Sequence, residues 1–504
     1  MNDKSDTAHE GDSPLNPSAE EIRRWGNAAV EAMVEYLSSI RDRRVYPQTT
    51  AREIREKLER NLPESGIDFE RLLETFRDVI VPLSRHNGHP RMFGYVQAPG
   101  TALAALADLL ASTLNANLTA WRSAPAAVEI ERLTIDWIKQ IVGFPAEAGG
   151  LFVSGGSMAN FAALAAARRA KAPEDLLNKG AQSFPRAMRV YTSTETHHSV
   201  AKAAALLGIG RDNVREVAVD ERLKIRIDDL EAKIAEDLAA GHLPFCVVGN
   251  AGTVNTGACD PLREVGEVAR RFNLWMHVDA SYGGFAILAS SAKKLFDGLA
   301  EADSIALDPH KWLYLPVDCG CVLYRDAQMA RATFAHDAEY TRVMAQEADE
   351  AFAFWDYGPD LSRRFRALKV WMILKGVGVR ALGAAIEKDL ACARHLEGLV
   401  RASEDFEMLA PVELSIFCFR HVLSRFKPAL AGADEAERRR VEEELDAWNE
   451  RLLVELQRDG SSYLSNARVG GRFSLRGCVM NYRTTLRDME ILLEDLRRLA
   501  ERMR

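Results

Sequence analysis

Apolar positions recur with a helical period near the start of the chain and in short strand-like runs later on. From about residue 20, one helix face carries the apolar side chains Ile22, Trp25, Ala29, Met33 and Leu37. Two further amphipathic segments follow, at about 52–62 and 68–79. Because no alternating strand pattern precedes them, these segments predict an N-terminal helical appendage, and we expect it to pack on a partner subunit.

From residue 151 the pattern changes to short apolar strands that alternate with helical segments. The predicted strands are Leu151–Val153, Met188–Thr192, Val214–Val219, Phe245–Gly249, Leu274–Val278, Ser304–Leu307 and Gly320–Tyr324. One intervening helix is predicted to begin with Asp228 as its N-cap, and another with Pro261 at its first position. This alternation predicts an α/β fold with a mainly parallel sheet covered by helices on both faces.

After about residue 376 the apolar runs lie between long charged helices, which predicts a smaller α+β domain. The first residues are polar and contain no apolar h-region, so they predict a disordered leader and no secretory signal. The predicted division is a leader at 1–18, an N-terminal helical segment at 19–95, a large domain at 96–378 and a small domain at 379–504.

Composition narrows the class of protein further. The 504 residues are 47% hydrophobic and carry a net charge of −8 without a basic stripe, which argues against a nucleic-acid partner. The most apolar segment, TALAALADLLASTLNANL, is interrupted by Asp108 and predicts a buried helix, with no membrane association. Seven cysteines without a CxxC pair indicate neither a metal site nor a disulfide framework, and favour the cytoplasm.

One lysine stands in an apolar context, in the stretch SIALDPHKWLYLPVDCG. Ile305, Ala306 and Leu307 precede it closely, and Trp312 follows Lys311 directly. A lysine at such a place either reaches solvent or is a desolvated amine that can attack a carbonyl group and form a Schiff base.

Three other polar sites follow predicted strands, where ligands of parallel sheets bind. Ser157 lies in a Ser-Gly-Gly-Ser turn before an alanine-rich helix, and the turn suits an anion, a serine nucleophile or a plain helix cap. His197 could stack on a ring or cap a helix, and no partner at ligand spacing supports a metal. Asp279 ends an apolar strand and is either a buried carboxylate or a turn former.

Together these sites supply an anion cradle, a flat side chain, a buried carboxylate and a nucleophilic amine. Pyridoxal 5'-phosphate needs that set, because its phosphate, aldehyde and pyridine nitrogen each require one of these partners. Four sequence motifs also indicate a pyridoxal-phosphate enzyme: DPHKW (308–312), HVDASYGG (277–284), AWRSAPAAVEIE (120–131) and LSRRFRALKVW (361–371). In these motifs the chain resembles the group II pyridoxal-phosphate decarboxylases, close to the aromatic-L-amino-acid decarboxylases.

The resemblance implies a role for each residue around the cofactor ring. Lys311 corresponds to the Schiff-base lysine and Asp279 to the partner of the pyridine nitrogen. His197 corresponds to the residue stacked on the ring, with Ser281 on the other face. Thr253 corresponds to a threonine near the ring substituents. Relatives from animals have alanine where this chain has Ser281, a change that still fits against a ring.

The resemblance also implies the phosphate contacts, the fold and the assembly. Gly156, Ser157 and His310 correspond to phosphate-side ligands. Asp308 departs from the asparagine of many animal relatives, and a carboxylate there would repel a phosphate. The implied fold is fold type I, aspartate aminotransferase-like, in a homodimer with active sites at the interface. Tyr340 occupies the position of a loop tyrosine that assists protonation of the substrate Cα, and aldehyde synthases of the family have phenylalanine there.

The substrate is predicted less narrowly than the chemistry. The same resemblance implies that Ser362, in the LSRRFR motif, favours tyrosine-like amino acids, and phenylalanine, DOPA and tryptophan remain alternatives, as does histidine. Tyr95, Val96 and Trp121 are the other candidates for substrate contact. Three different functions stay open at this point: an aromatic aldehyde synthase of the same family, a serine hydrolase built on Ser157, and a catalytically silent homologue.

Overall fold

The computed structural model describes residues 15–58, 60–172, 176–181, 184–336, 349–432 and 434–504. Residues 1–14, most of the predicted leader, lie outside these ranges. The chain begins with three helices: α1 (Ala19–Ser38), α2 (Ala51–Lys57) and α3 (Phe69–Thr75). Ser18 and Glu21 form a capping box at the start of α1, which fixes where that helix begins.

Helices α1 and α3 pack on each other and leave an apolar face uncovered. The rings of Trp25 and Phe69 lie 5.7 Å apart, and Arg24 pairs with Glu70 at 3.0 Å. The only buried residue of α1 is Ala32. Six large apolar side chains of α1, α3 and the helical turn that follows α3 are exposed instead: Ile22, Val30, Val34, Leu72, Phe76 and Ile80.

A seven-stranded sheet forms the centre of the large domain. Its strands are β1 (Gly149–Val153), β2 (Met188–Ser193), β3 (Val214–Val217), β4 (Leu243–Asn250), β5 (Trp275–Ala280), β6 (Ser304–Leu307) and β7 (Gly320–Tyr324). Their spatial order is β1-β7-β6-β5-β4-β2-β3, and only β7 runs in the direction opposite to the other six strands. The predicted mainly parallel sheet with all seven strands is therefore confirmed.

Helices cover both faces of this sheet. They are α4 (Ala102–Leu114), α5 (Pro125–Val142), α6 (Gly156–Lys171), α7 (Leu176–Lys179), α8 (Ser199–Leu206), α9 (Ile227–Ala239), α10 (Leu262–Arg271), α11 (Pro309–Trp312), α12 (Ala327–Phe334) and α13 (Ala367–Gly376). Because β7 is antiparallel, its first residue, Gly320, pairs with Val153 at the carboxyl end of β1. A Cβ at position 320 would lie 2.4 Å from the Cα of Gly155, so the turn after β1 rests directly on β7.

Three predicted helix ends are wrong. Arg226 is the N-cap of α9, and Asp228 lies in the first turn, where its carboxylate bonds Arg226. Pro261 is the N-cap of α10 and stands one residue before the helix. The helix predicted at 52–62 ends at Lys57, because the chain becomes extended at Leu58. Local propensity does not include the tertiary contacts that decide such boundaries.

Helix α4 also differs from its prediction. It buries only small residues, Ala104, Ala107 and Ala111. Its leucines at positions 106, 109, 110 and 114 are all exposed, Leu110 by 53% and Leu114 by 64%. The apolar composition therefore indicated a helix correctly, but the helix is not buried within this chain. None of the helices in the described part of the chain is long and apolar enough to cross a membrane.

The C-terminal part contains a second, antiparallel sheet. Its strands are β8 (Phe406–Met408), β9 (Ile416–His421), β10 (Ser465–Val469) and β11 (Arg472–Cys478), in the order β10-β11-β9-β8. Its helices are α14 (Val379–Arg401), α15 (Lys427–Gly432), α16 (Glu435–Asp459) and α17 (Leu486–Arg502). The predicted small α+β unit is present, while the exact domain limits stay a prediction.

Two hydrophobic clusters make up most of the core, and α14 belongs to both. Leu382, Ile386 and Leu390 lie in the cluster that surrounds the large sheet. Leu396 and Val400, further along the same helix, lie in the cluster beneath the small sheet. The two parts of the chain are therefore joined by one continuous helix.

A fully buried ion pair holds the end of β1 in place. The guanidinium of Arg363 contacts the carboxylate of Glu131 on α5, and both side chains are at most 1% exposed. The same carboxylate accepts the N–H of Phe152 at 3.0 Å, and Arg363 donates to the Phe152 carbonyl at 2.9 Å. Removing one partner of such a pair is strongly destabilising, because it leaves a buried charge unpaired. This network fixes the strand that leads into the turn at Ser154.

Candidate active site

A cavity of about 380 Å³ lies at the carboxyl ends of the parallel strands. The residues just beyond β1, β4, β5 and β6 form its wall. Nine residues that the sequence predicts for the site line this cavity together: Val96, Gly156, Ser157, His197, Thr253, Asp279, Ser281, His310 and Lys311. The position agrees with the general rule for ligand sites of parallel sheets.

Lys311 lies on α11, the short helix that follows β6. Its Nζ is 2.9 Å from Oδ2 of Asp308, and its side chain is 17% exposed. Residues 312–315 beyond it are buried. His310 Nδ1 lies 2.7 Å from the carbonyl oxygen of Cys319, and its Nε2 lies 3.8 Å from Asp308. The amine thus reaches the cavity from a wall that excludes most water.

Asp279 lies near the end of β5, is buried, and accepts hydrogen bonds from two neighbouring residues. The Asn160 amide donates to its Oδ2 at 2.8 Å, and the N–H of Ser281 donates to Oδ1 at 3.1 Å. Burial acts to raise the pKa of Asp279, but the hydrogen bonds from Ser281 and Asn160 outweigh burial and lower it. The cavity wall therefore presents an ionised carboxylate.

His197 lines the cavity just before α8 and is neutral at ordinary pH. Burial lowers its pKa below the usual value, and the carboxylate of Asp279 only partly opposes this effect. Its Nδ1 accepts the backbone N–H of Ser199 at 3.3 Å. The neutral form therefore carries its proton on Nε2. The ring lies 4.1 Å from that of His198.

The turn before α6 has the geometry of a site that can hold an anion, and we call this turn the cradle. Gly155 has no side chain that caps the helix, so the N–H groups of its first turn remain for a ligand, where the helix dipole favours negative charge. A Cβ at Gly156 would lie 2.3 Å from Ser281 Oγ, so only glycine leaves this space open. In the described part of the chain no hydrogen bond joins Ser157 to a histidine, and the nucleophile–base pair of a hydrolase is not formed.

Three predicted residues do not line this cavity, and a fourth falls outside the described residues. Tyr95 is 49% exposed and stacks against the guanidinium of Arg85. Trp121 packs on the edge of the large core, and Ser362 is exposed. Tyr340 lies outside the described residues. The roles of these residues in substrate contact and protonation stay predictions.

Sequence reasoning missed two asparagines of the site. Asn160 and Asn250 both line the cavity and are buried. Asn160 is the only polar side chain between Ser157 and Arg168 in an alanine-rich helix, and such isolation signals a buried hydrogen bond. Asn250 ends the apolar strand β4, so a consistent search of strand ends would have found it.

The residues present fit a flat aldehyde that carries a phosphate and a basic ring nitrogen. The α6 cradle suits the phosphate, Lys311 the aldehyde and the ionised Asp279 the protonated nitrogen. Asp308 Oδ1 is buried without a hydrogen-bond partner in the described part of the chain, so the cavity wall contains a polar atom whose hydrogen bond is not made within the protein. Fold and site together define a pyridoxal-phosphate-dependent enzyme of fold type I.

Comparison with known proteins narrows this class to one family. Residues 51–422 match the pyridoxal-dependent decarboxylase conserved domain, and the chain belongs to that family. An aromatic-L-amino-acid decarboxylase of Bacillus atrophaeus is 36% identical over 97% of each chain. Tryptophan decarboxylase 1 of Oryza sativa subsp. japonica is 32% identical over 94% of this chain and 92% of its own.

Solved structures agree with this assignment. The crystal structure of Oryza sativa TDC with PLP and tryptamine matches with a TM-score of 0.89 and 29% identity, over 98% of this chain and 99% of that chain. The crystal structure of mouse CSAD matches with a TM-score of 0.89 and 28% identity, over 96% and 99%. The protein is a pyridoxal-phosphate-dependent amino-acid decarboxylase, and thus a carboxy-lyase.

Proposed function

We propose that this decarboxylase converts an aromatic L-amino acid, namely tyrosine, phenylalanine, DOPA or tryptophan, into the corresponding amine and CO2. The observation that carries the proposal is the similarity to an aromatic-L-amino-acid decarboxylase over 97% of both chains. The apolar side chains of Val96, Met158 and Val254 line the cavity beside its polar wall, which suits an aromatic substrate. Ser362 favours tyrosine among these amino acids.

Around the cofactor ring, the site must attach the aldehyde, protonate the ring nitrogen and exclude water. When bound, pyridoxal phosphate supplies an aldehyde that condenses with amines and an electron-poor ring that accepts the electrons of the Cα–carboxylate bond. Lys311 would provide the amine that attaches the cofactor and that the substrate amine displaces. Asp279 would hold a proton at the ring nitrogen. His197 and Ser281 would pack against the ring and exclude water.

The phosphate end is proposed to use the start of α6. The N–H groups of Gly156 and Ser157 would bind the phosphate oxygens, and the Ser157 hydroxyl and His310 would add hydrogen bonds. Thr253, whose Oγ1 lies 3.0 Å from that of Thr256, would contact the ring substituents. These contacts anchor the cofactor at the end opposite the reacting atoms.

Protonation of the substrate Cα completes the reaction. Loss of CO2 leaves an electron pair at Cα, and one proton must reach that carbon before the amine is released. Tyr340 is proposed to assist this transfer, with His197 nearby as the second candidate. Proton delivery to carbon also prevents reaction with oxygen, which would produce an aldehyde in place of the amine.

We also propose that the working unit is a homodimer. The exposed apolar side chains of α1 and α3 and the exposed leucines of α4 give the single chain uncovered apolar surface on two segments. Extended apolar patches of this kind mark interaction surfaces. A second copy that covers α4 would bury leucines that this chain leaves in water. Trp121 and Ser362, which do not line the cavity of their own chain, are candidates to complete the site of the partner.

A substrate panel tests the proposed function. The purified holoenzyme is incubated with tyrosine, phenylalanine, DOPA, tryptophan, histidine and glutamate, and CO2, amine, oxygen uptake and peroxide are measured. We expect stoichiometric amine and CO2 with at least one aromatic substrate and no oxygen uptake. Amine from histidine or glutamate alone would contradict the aromatic assignment, and peroxide with aldehyde would identify an aldehyde synthase.

A trapping experiment tests the proposed lysine. Borohydride reduction of the holoenzyme should fix the cofactor to Lys311, and peptide mapping should locate it there. Lys311→Ala should show no trapped cofactor, whereas the surface variant Lys294→Ala should behave as wild type. Trapping in Lys311→Ala would refute the assignment of this residue.

A further inference from the structure

A chain of buried hydrogen bonds leads from the indole of Trp275 to the carboxylate of Asp279. Trp275 Nε1 lies 2.8 Å from Ser304 Oγ, and that oxygen lies 2.9 Å from Nδ1 of His277. His277 Nε2 is 2.9 Å from Oδ1 of Asn160, whose Nδ2 is 2.8 Å from Oδ2 of Asp279. All five side chains are less than 9% exposed. The catalytic roles described above use only the last of them.

The two end groups of this hydrogen-bond series, the Trp275 indole and the Asp279 carboxylate, fix the direction of every hydrogen bond in it. The Asp279 carboxylate only accepts, so the amide NH2 of Asn160 must face it, and the amide oxygen must face His277. His277 Nε2 therefore carries a proton. The Trp275 indole only donates, so Ser304 accepts from it and donates its own proton to the free Nδ1 of His277. No bond in the series has to be reversed.

The charge state of His277 agrees with this direction. Its complete burial lowers its pKa to about 4, so the ring is neutral and has one proton to place. With that proton on Nε2, the Asn160 amide cannot rotate without setting an N–H against an N–H at one end and an oxygen against a carboxylate at the other. The orientation of Asn160 is thus locked by residues behind it.

A second hydrogen bond from Asn160, to Ser199, provides a control for the hydrogen bond to Asp279. The same Nδ2 lies 2.8 Å from Ser199 Oγ, which lies 2.8 Å from Nδ1 of His197. The Asn160 amide therefore has two acceptors, Asp279 and Ser199. Loss of the Ser199 hydroxyl removes one of them and leaves the bond to Asp279 in place.

We propose that Asn160 is a positioning residue that holds Asp279 as an ionised, correctly oriented partner of the cofactor's ring nitrogen, and that His277 sets the orientation of Asn160. The inference rests on the proposed role of Asp279. Its specific consequence is selectivity for a protonated ring nitrogen. A merely structural role for Asn160 would affect any ligand of the same shape equally.

The test compares two cofactors on the full-length apoenzyme. Binding of pyridoxal phosphate and of 1-deazapyridoxal phosphate, which has C–H in place of the ring nitrogen, is measured by fluorescence titration. We expect Asn160→Ala to lower the preference for pyridoxal phosphate by roughly tenfold, the size of one charge-assisted hydrogen bond. Ser199→Ala should keep the wild-type preference. An equal loss of affinity for both cofactors, or no loss, overturns the proposal.

A matched pair at position 277 covers the case in which Asn160→Ala does not fold. His277→Gln places an N–H close to the position of Nε2 and should retain the wild-type preference, whereas His277→Leu should lower it like Asn160→Ala. Circular dichroism and thermal unfolding establish that each variant is folded. Equal preferences in His277→Gln and His277→Leu refute the role of His277.

Asp279→Asn separates this inference from the function on which it rests. If Asp279→Asn leaves the cofactor preference unchanged, the proposed contact of Asp279 with the ring nitrogen is wrong. If Asp279→Asn lowers the preference while Asn160→Ala does not, the contact stands and the positioning role of Asn160 is wrong. The two failures are therefore distinguishable in one set of titrations.

Discussion

The ammonium of Lys311 lies 2.9 Å from the carboxylate of Asp308, three residues earlier in the chain. From the sequence alone, Asp308 is only a carboxylate at a place where a phosphate is expected. Its pairing with Lys311 gives it a function within the apo-protein, because it compensates a charge in a place with little water. The cost is that a carboxylate remains close to the cradle at Gly156, 3.1 Å from where a Cβ would lie.

Replacing Asp308 should strengthen binding of the phosphate group. We expect Asp308→Asn to bind pyridoxal phosphate roughly three- to tenfold more tightly, because one negative charge beside the phosphate is removed. The affinity for pyridoxal, which has no phosphate, should change much less. Both affinities are measured on apoenzyme by absorbance titration. Equal changes for the two ligands would show that repulsion of the phosphate is not the cause.

A single methyl group at position 156 should close the cradle. Gly156→Ala places a Cβ 2.3 Å from Ser281 Oγ, and either the cofactor or the hydroxyl must move. We expect at least a roughly tenfold loss of affinity for pyridoxal phosphate. Gly398→Ala is the matched control, because a Cβ at this exposed helical position meets nothing within 4 Å and Ala favours the helix. Wild-type affinity in Gly156→Ala would contradict the proposed phosphate site.

Stability should depend on pH through Asp389. Burial raises the pKa of Asp389 to about 7, although Tyr314 donates a hydrogen bond of 2.8 Å to it. Its ordinary pKa in an unfolded chain is about 4. Between pH 4 and 7 the folded state therefore binds more protons than the unfolded state, and the free energy of unfolding falls as pH rises. Above pH 7 the contribution of Asp389 is lost.

Asp389→Asn should remove this pH dependence. Between pH 5 and 8 the wild type should lose about 2 to 3 kcal/mol relative to the variant. Urea unfolding at a fixed protein concentration measures the difference, and Asp212→Asn, at an exposed position, is the control. Parallel pH profiles for wild type and Asp389→Asn would refute the raised pKa.

The exposed face of α4 should determine the oligomeric state. Leu110→Glu introduces a charge on the proposed interface, and we expect sedimentation to show a monomer where the wild type is a dimer. Leu238→Glu, at a leucine on α9 that is 46% exposed, should leave the dimer intact. If Leu110→Glu remains dimeric, α4 is not at the interface.

Tyr340 should decide between amine and aldehyde. We expect Tyr340→Phe to consume oxygen and to release peroxide with an aromatic substrate, because protonation of Cα is slowed and oxygen competes. An oxygen electrode and an aldehyde assay measure the change. Tyr46→Phe is the control, because Tyr46 is distant from Tyr340 in the sequence and does not line the cavity. Unchanged amine production without oxygen uptake in Tyr340→Phe would argue against the proposed protonation role.

The sequence predicted the fold well where the signal was local. Every strand of the large sheet follows from a short apolar run, and the strand ends at Asp279 and Asp308 mark the cavity. Periodicity failed for α4, because an apolar helix is equally compatible with burial in its own chain and with an interface. The role of Asn160 was not predictable, because it depends on His277 and Asp279, more than a hundred positions away in the sequence.

Helix α14 has a consequence for how the protein melts. Two separate cores would ordinarily unfold in two steps at different temperatures. Here the same helix contributes Ile386 to one core and Leu396 to the other. Unfolding of this helix therefore exposes apolar surface in both hydrophobic cores. Calorimetry should therefore record one cooperative transition for the whole chain, with the shared helix acting as the link that makes the cores melt together.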